Sequence, residues 1–465
     1  MMHRTEWLIY GAGLSALVLA ERLGNAGKQV LLINPADKWG GIFGGIEIDG
    51  ERFDAGMTNF EFELFGSPED NLQGYHPDRK SDVGRYVHYV QQYLSRFVQA
   101  TPLPTPCMRF DKHFMDDLII SNCFNVLQTL EPNIRQAMLT ELQGIVAAPN
   151  PLHPKTKNDP DSILASTVFE TVSLANHGPT FHHLFIEPMF RKVLGIATGQ
   201  IESIFHRNGW APLFYPETLL SQFGPSPQPL KPTVFRYPKG EHFGAFIGRI
   251  SAAIKEMDNV RVIYAAKDVE INVADCTLRM SDQSFSFKRL AWGAELDTLQ
   301  GFTSPVLQPT QRASLDLFFI KVRQEGVGHR FAVLIDPEAD SPFYRVTNQN
   351  ICADIISPEH KIILECNSAY LDEAGTNSAE LLQLALERYG IDPKALVTCH
   401  SRNFKGALAI PTHGQMLKFN QQRDRLAMAY PALELIGASS GYISVTLNDH
   451  IIQALKIAQQ EGALT

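Results

Sequence analysis

Cysteine is sparse and unpatterned in this chain. Cys107, Cys123, Cys276, Cys352, Cys366 and Cys399 stand singly, with no C-x-x-C and no regular spacing. That excludes a disulfide framework and a thiolate zinc site, and it fits buried thiols in a reducing compartment. Long apolar runs are missing as well: no window reaches the ~18 consecutive apolar residues of a spanning helix. Basic residues do not dominate, since 41 Lys and Arg against 50 Asp and Glu leave a formal net charge of −9. Such a balance argues against general nucleic-acid binding, although a few local arginines suffice for a phosphorylated small molecule. G-x-S-x-G, H-E-x-x-H and G-x-x-x-x-G-K-[ST] are all absent. Serine-hydrolase, zinc-protease and P-loop chemistry therefore have no support. His182-His183 reads as packing, because adjacent helical residues point in different directions, and no metal is expected.

What is present is the composition of a soluble enzyme: 465 residues, 44% apolar and 20% charged, enough for two domains or more. A core strand begins within the opening MMHRTEWLIYGAG, which leaves no room for a secretory leader, so a cytoplasmic protein is expected. Nothing in the composition speaks to oligomeric state.

The clearest pattern lies in the first fifty residues. Trp7 to Tyr10 is a short apolar run, Gly11 to Gly13 breaks it, and Leu14 to Leu23 has the spacing of a buried helix. Gly24 and Gly27 end that helix before a second strand, Gln29 to Ile33, so the unit is β–α–β with a right-handed crossover. Residues 85–145 read as predominantly helical. The proline-rich segments 147–161 and 223–232 read as exposed loops around a mainly helical stretch. Beyond them, strands are expected at Val234–Tyr237, Val260–Ala265, Leu315–Val322, Lys361–Cys366 and Leu433–Ile436, with a hairpin from Cys276 to Phe287. Helices are expected at Gly244–Met257, Ser378–Tyr389 and Asp449–Gln459. The N-terminal sheet thus receives strands from the middle and end of the chain.

Gly11-Ala12-Gly13-Leu14-Ser15-Ala16 fits G-x-G-x-x-A between a strand and a helix. Gly11 permits the tight turn, Gly13 lets the backbone approach a pyrophosphate, and Ala16 lets helix and strand pack closely. Helix-start N–H groups then face the phosphate charge. After the second strand, where an acidic residue normally binds ribose hydroxyls, this chain has Asn34, which can hydrogen-bond a hydroxyl but carries no charge. Lys38 precedes the paired Gly40-Gly41, whose backbone can lie against phosphates or a ring system. Phe53-Asp54-Ala55-Gly56 follows.

These blocks resemble the FAD-binding superfamily of amine oxidases, protoporphyrinogen oxidases and UDP-galactopyranose mutases. Its members carry G-x-G-x-x-[GA], an acidic residue six positions before G-G, then F-D-x-G. Further matches are Glu187–Gly195, Tyr237-Pro238-Lys239-Gly240, Gly437 and Leu447-Asn448-Asp449, so the resemblance spans essentially the whole chain. Two departures stand out: Asn34 in place of the carboxylate, and Gly437-Ala438 where the mutases tend to have glycine–arginine.

The resemblance implies an α/β fold: a discontinuous Rossmann-type FAD-binding domain (1–85, 233–300 and 405–465) with a mixed α+β substrate domain (86–232 and 301–404). It implies FAD contacts at Gly11, Gly13, Ala16, Asn34, Lys38, Gly40, Gly41, Gly56, Val269, Gly437 and Asp449. Val269 would meet the adenine through its backbone, with Trp292-Gly293-Ala294 near the pyrophosphate. Asp449 would be a helix N-cap, with Asn448 competing, on a helix aimed at the flavin. Arg345, Tyr344 and Asn59 are the candidate substrate-side residues, Arg345 by pairing with a phosphate or carboxylate, with solvated strand arginine as the alternative. Trp210, Arg236, His242 and Arg402 are weaker candidates. The implied activity is oxidation of a small molecule by hydride transfer to flavin N5, in glycan or secondary-metabolite biosynthesis. The alternatives are a redox-neutral sugar-nucleotide isomerase using reduced flavin, and a non-catalytic protein that retains FAD.

Overall fold

The computed structural model describes residues 2–36, 38–61, 74–75, 82–154, 163–225, 234–264, 269–280, 283–299, 302–303, 311–374, 378–443 and 446–464. Five strands form a parallel sheet: β1 (Trp7–Tyr10), β2 (Val30–Asn34), β3 (Val260–Tyr264), β4 (Arg289–Trp292) and β5 (Leu433–Leu435). Their order is β3-β2-β1-β4-β5. Helix α1 (Leu14–Asn25) makes the crossover from β1 to β2, and α2 (Phe243–Lys255) and α3 (Leu447–Gln460) pack beside it.

The period of two decides what each face of this sheet meets. Trp7, Ile9 and Leu32 join the core built with α1, α2 and α3. Leu8, Leu31, Ile33, Leu290 and Trp292 point the other way, into a second core with Ile271, Leu278 and Phe285. Those last three sit on a small four-stranded sheet, ordered Met2–Arg4, Gln283–Ser286, Thr277–Met280, Val269–Asn272. Burial on both faces is why β1 and β2 read as continuous apolar runs.

Every residue of α1 from Leu14 to Gly24 is buried, Glu21 and Arg22 included. Those two charges are tolerated because they pair at 2.8 Å, and Arg96 adds a second contact to Glu21 at 2.7 Å. Gly27 then takes the left-handed conformation (φ +76°), and its N–H returns to the Gly24 carbonyl, which stops the helix.

A separate seven-stranded, mainly antiparallel sheet is the largest sheet among the described residues. Its order is His113–Asp116, Cys107–Phe110, Val333–Ile335, Phe343–Asn348, Glu359–Asn367, Arg312–Arg323, Leu396–Ala409. Alternation again divides the side chains: Leu315, Leu317 and Phe319 face the main core, Phe318, Ile320 and Val322 a third one.

The helical reading of 85–145 needs correction, because Cys107–Phe110 and His113–Asp116 form a hairpin in this sheet. Lys112 and Asp111, both at positive φ, make its turn without glycine, so the usual turn signal is missing. The edge strand Leu396–Ala409 and the helix Gln415–Ala429 also lie outside the sequence expectations. Residues 155–161 and 226–232 of the expected loops lie outside the described residues. No helix among the described residues is long and apolar enough to cross a membrane.

Candidate functional site

At the carboxyl end of the parallel sheet, β1 runs into the glycine turn. Gly11 has φ +105°, and its N–H donates to the Ile33 carbonyl at 2.9 Å. A Cβ there would lie 2.9 Å from the Gly293 carbonyl carbon, so Gly11 is required by packing as well as by conformation. Gly293 in turn donates to the Tyr10 carbonyl at 2.7 Å, and the Ala16 methyl lies 3.5 Å from where its Cβ would be.

Gly13 is different. It precedes α1 as the N-cap in extended conformation (φ −68°), and a Cβ built on it meets nothing within 4 Å. Its lack of a side chain preserves open space over the first turn of α1, where backbone N–H groups have no intrahelical partner. Gly40 closes against this turn, donating to the Ala12 carbonyl at 2.7 Å and bridging to Gly13. Gly41 (φ +59°) lies on the Gly13 side, its hypothetical Cβ 3.7 Å from Gly13 Cα. Gly40 itself is held by α2, since any Cβ would collide with Ile247 at 2.6 Å. Lys38 is exposed beside this segment, and Ile42 is 54% exposed within it.

Asn34 ends β2 one residue beyond the Ile33 carbonyl that anchors Gly11. It is 1% exposed, and neither Nδ2 nor Oδ1 has a hydrogen-bond partner within the protein. An orphaned buried amide costs about 1–3 kcal/mol. Such a group at the end of a Rossmann strand, beside an open glycine turn, has the donor and acceptor that a ribose diol requires. The residues present therefore fit the dinucleotide.

Farther along, Gly56 (φ +90°) marks the second part of the site. Its hypothetical Cβ would lie 2.7 Å from Glu365 Oε2, and the Met57 N–H donates to Glu365 Oε1 at 3.1 Å. Arg345 grips the same carboxylate with Nε and Nη2, each at 2.6 Å, and the Tyr344 hydroxyl donates to it at 3.3 Å. The Trp210 ring covers the guanidinium, 3.7 Å from Cζ to ring centroid, with its own backbone in the left-handed region (φ +59°). For a bulky residue that conformation is an outlier costing of order 1–3 kcal/mol. Burial and the neighbouring carboxylate push the Tyr344 phenol well above its ordinary range.

Arg345 is thus buried rather than solvated and already engaged by Glu365. Tyr344 belongs to the same cluster, while Asn59 is half-buried three residues beyond Gly56. Glu365 was not singled out from sequence; its signal is a lone acidic residue inside the apolar run Ile362-Ile363-Leu364-Glu365-Cys366. His242 bonds Gln349 at 2.8 Å, and burial lowers its pKa to about 4. Arg236 lies on the strand Phe235–Pro238, and Arg402 is exposed on the edge strand.

The remaining candidates are spread around the sheet. Val269 opens the strand that pairs with Met280. Gly437 (φ +56°) starts a turn near Ser15 and donates its N–H to Gln453 at 2.9 Å. Thr446, not Asp449 or Asn448, is the N-cap of α3. Asp449 completes a capping box, accepting from the Thr446 N–H at 2.7 Å.

The parallel sheet, glycine turn and helical crossover have the architecture of a Rossmann-like domain. Residues 9–69 match the family of NAD(P)-binding Rossmann-like domains. Comparison with curated proteins finds no match. Among solved structures, reduced UDP-galactopyranose mutase is similar at a TM-score of 0.73 and 17% identity, covering 98% of this chain and 94% of that one. An Exiguobacterium sp. 255-15 protein assigned as a protoporphyrinogen oxidase gives 0.67 and 14%, covering 99% of each chain. Putrescine oxidase bound to putrescine gives 0.61 and 13%, covering 100% of each. The chain shares its fold with these three structures over essentially its whole length.

Proposed function

We propose that this chain binds FAD and oxidises a small molecule by hydride transfer to the flavin. The observation that carries the reading is Asn34, buried with an unsatisfied amide beside the open Gly13 turn. Asn34 would bond the ribose of the adenosine half, and the N–H groups at the start of α1 would hold the pyrophosphate. Gly40-Gly41, Lys38, Gly56, Val269, Gly437 and the start of α3 would hold the rest of the cofactor. Bound FAD supplies a hydride acceptor at N5, and the protein's part is to place the substrate and exclude water. Trp210, Arg345 and Tyr344 serve as the substrate-side wall, with Asn59 at its edge. Because Glu365 neutralises Arg345, this wall suits an uncharged part of the substrate better than a phosphate.

A second reading, redox-neutral rearrangement of a sugar nucleotide with reduced flavin, is favoured by the likeness to reduced UDP-galactopyranose mutase. Against it stand the Glu365–Arg345 pair and Ala438 after Gly437. Two measurements decide. Purified protein incubated with FAD and desalted should keep a flavin absorbance band; protein that keeps none overturns the cofactor. Anaerobic mixing with candidate amines, alcohols and sugar nucleotides should bleach that band. Turnover that needs prior dithionite reduction and leaves the flavin reduced would replace oxidation with isomerisation.

A further inference from the structure

Ser15 and His450 are 435 positions apart in sequence, yet Ser15 Oγ lies 3.1 Å from His450 Nδ1. Ser15 is the second residue of α1 and is 1% exposed, while His450 sits in the first turns of α3. Gly437 lies against this contact: a Cβ built on it would be in ordinary van der Waals contact with both groups, 3.5 Å from Ser15 Oγ and 3.7 Å from His450 Nδ1. The Phe43 ring meets the imidazole in an edge-to-face contact at 5.2 Å. Phe43 belongs to the Gly41–Gly44 segment that follows the paired glycines. The imidazole therefore joins α1, α3 and the Gly40-Gly41 segment at one point.

Burial holds the His450 pKa near 4, so the ring is neutral at pH 7 and carries one proton. If that proton is on Nδ1, it donates to Ser15 Oγ. The Ser15 hydroxyl hydrogen is then free to point elsewhere. The start of α1 is the direction in which an anion profits from it. Asn34, unpartnered and buried beside the same turn, independently marks this place for a ligand.

We infer that His450 is a positioning residue for the dinucleotide pyrophosphate: its Nδ1–H holds Ser15 Oγ so that the serine hydroxyl donates to a phosphate oxygen. This rests on the cofactor reading above. A hydrogen bond to a charged phosphate is of the size whose loss weakens binding about tenfold.

The test titrates apoprotein with FAD, followed by flavin fluorescence quenching, in wild type, Ser15→Ala, His450→Leu, the double variant and His450→Asn. The asparagine amide nitrogen takes the place of Nδ1 and can donate in the same direction. The expected result is about tenfold weaker binding for Ser15→Ala and for His450→Leu, with the double variant no weaker than either. His450→Asn should recover to within about threefold of wild type. ADP, which keeps the pyrophosphate and lacks the flavin, should show the same loss in a competition titration. Unaltered FAD binding in His450→Leu, additive losses in the double variant, or losses for FAD without losses for ADP would each overturn the inference. Wild-type protein that binds neither FAD nor ADP would instead overturn the cofactor reading beneath it. Thermal unfolding of the apo variants separates misfolding from lost affinity, and failure of a folded His450→Asn to recover binding also counts against the inference.

Discussion

The Asp54 carboxylate accepts a hydrogen bond from the Phe243 backbone N–H at 3.2 Å. The F-D-x-G segment thereby caps α2, the helix that follows Y-P-x-G. The same carboxylate accepts from the Thr58 hydroxyl and the Tyr237 hydroxyl, and the Asp54 N–H donates to Gln349. Two sequence blocks that each resemble a family motif are thus one structural unit. Burial raises the Asp54 pKa to about 6 despite these donors.

Asp54→Ala leaves the Tyr237 hydroxyl and the start of α2 without their acceptor inside the core. A loss of about 2–4 kcal/mol in unfolding free energy is expected, with Asp54→Asn losing about half as much. Urea unfolding measures both. An alanine variant as stable as wild type would remove Asp54 from the framework.

Gly11 and Gly13 should separate folding from binding. Gly11→Ala places a methyl 2.9 Å from Gly293 backbone at φ +105°, so it should unfold the chain or lower its melting temperature sharply. Gly13→Ala meets no atom within 4 Å and should leave apoprotein stability unchanged while weakening FAD binding. Equal effects on melting temperature from the two substitutions would refute this division.

Asn34→Asp tests the ribose contact through stability. An unpaired buried carboxylate should destabilise the apoprotein, while ribose hydroxyls would satisfy it in the complex. The rise in melting temperature on adding saturating FAD should therefore be larger in the variant than in wild type. An equal or smaller rise places the ribose away from residue 34.

Removing Arg345 leaves Glu365 buried and uncompensated. Arg345→Ala should cost about 3–5 kcal/mol, and the paired change Arg345→Met with Glu365→Leu should recover most of it. Denaturant unfolding of the two variants decides. Lost activity in Arg345→Ala is evidence for a substrate role only where the protein remains folded.

Acid should weaken the helical region through its buried imidazoles. The Phe214 N–H donates to His177 Nε2 at 2.9 Å, so Nδ1 carries the proton and faces Ser173 Oγ, which lies 2.8 Å from His182 Nδ1. Burial lowers His177 to about 3 and His182 to about 4, from an ordinary 6.5. Between those values the unfolded chain binds more protons, so this stability is full above pH 6.5 and is lost as pH falls. Asp54 and Asp117, each raised to about 6, act oppositely, adding stability as pH falls from 6 toward 3.8. His177→Gln should therefore shrink the stability lost between pH 7 and pH 5 by about 2 kcal/mol. The same drop in variant and wild type would exclude His177 as its source.

Local order was readable wherever a period or a turn required it. Trp7–Tyr10, Gly11 to Gly13 and Leu14–Leu23 announce a strand, a turn and a helix, because alternation, glycine and helical spacing act between near neighbours. Residues 107–116 misled because their turn uses Asp111 and Lys112 at positive φ in place of glycine. The residue types at the glycine turn were likewise visible, including the unusual Asn34. Only the tertiary structure decided their partners. It left Asn34 buried and unpaired, set Glu365 against both Gly56 and Arg345, and brought His450 to Ser15. Periodicity tells which face a side chain occupies, and the packing of distant elements decides what that face meets.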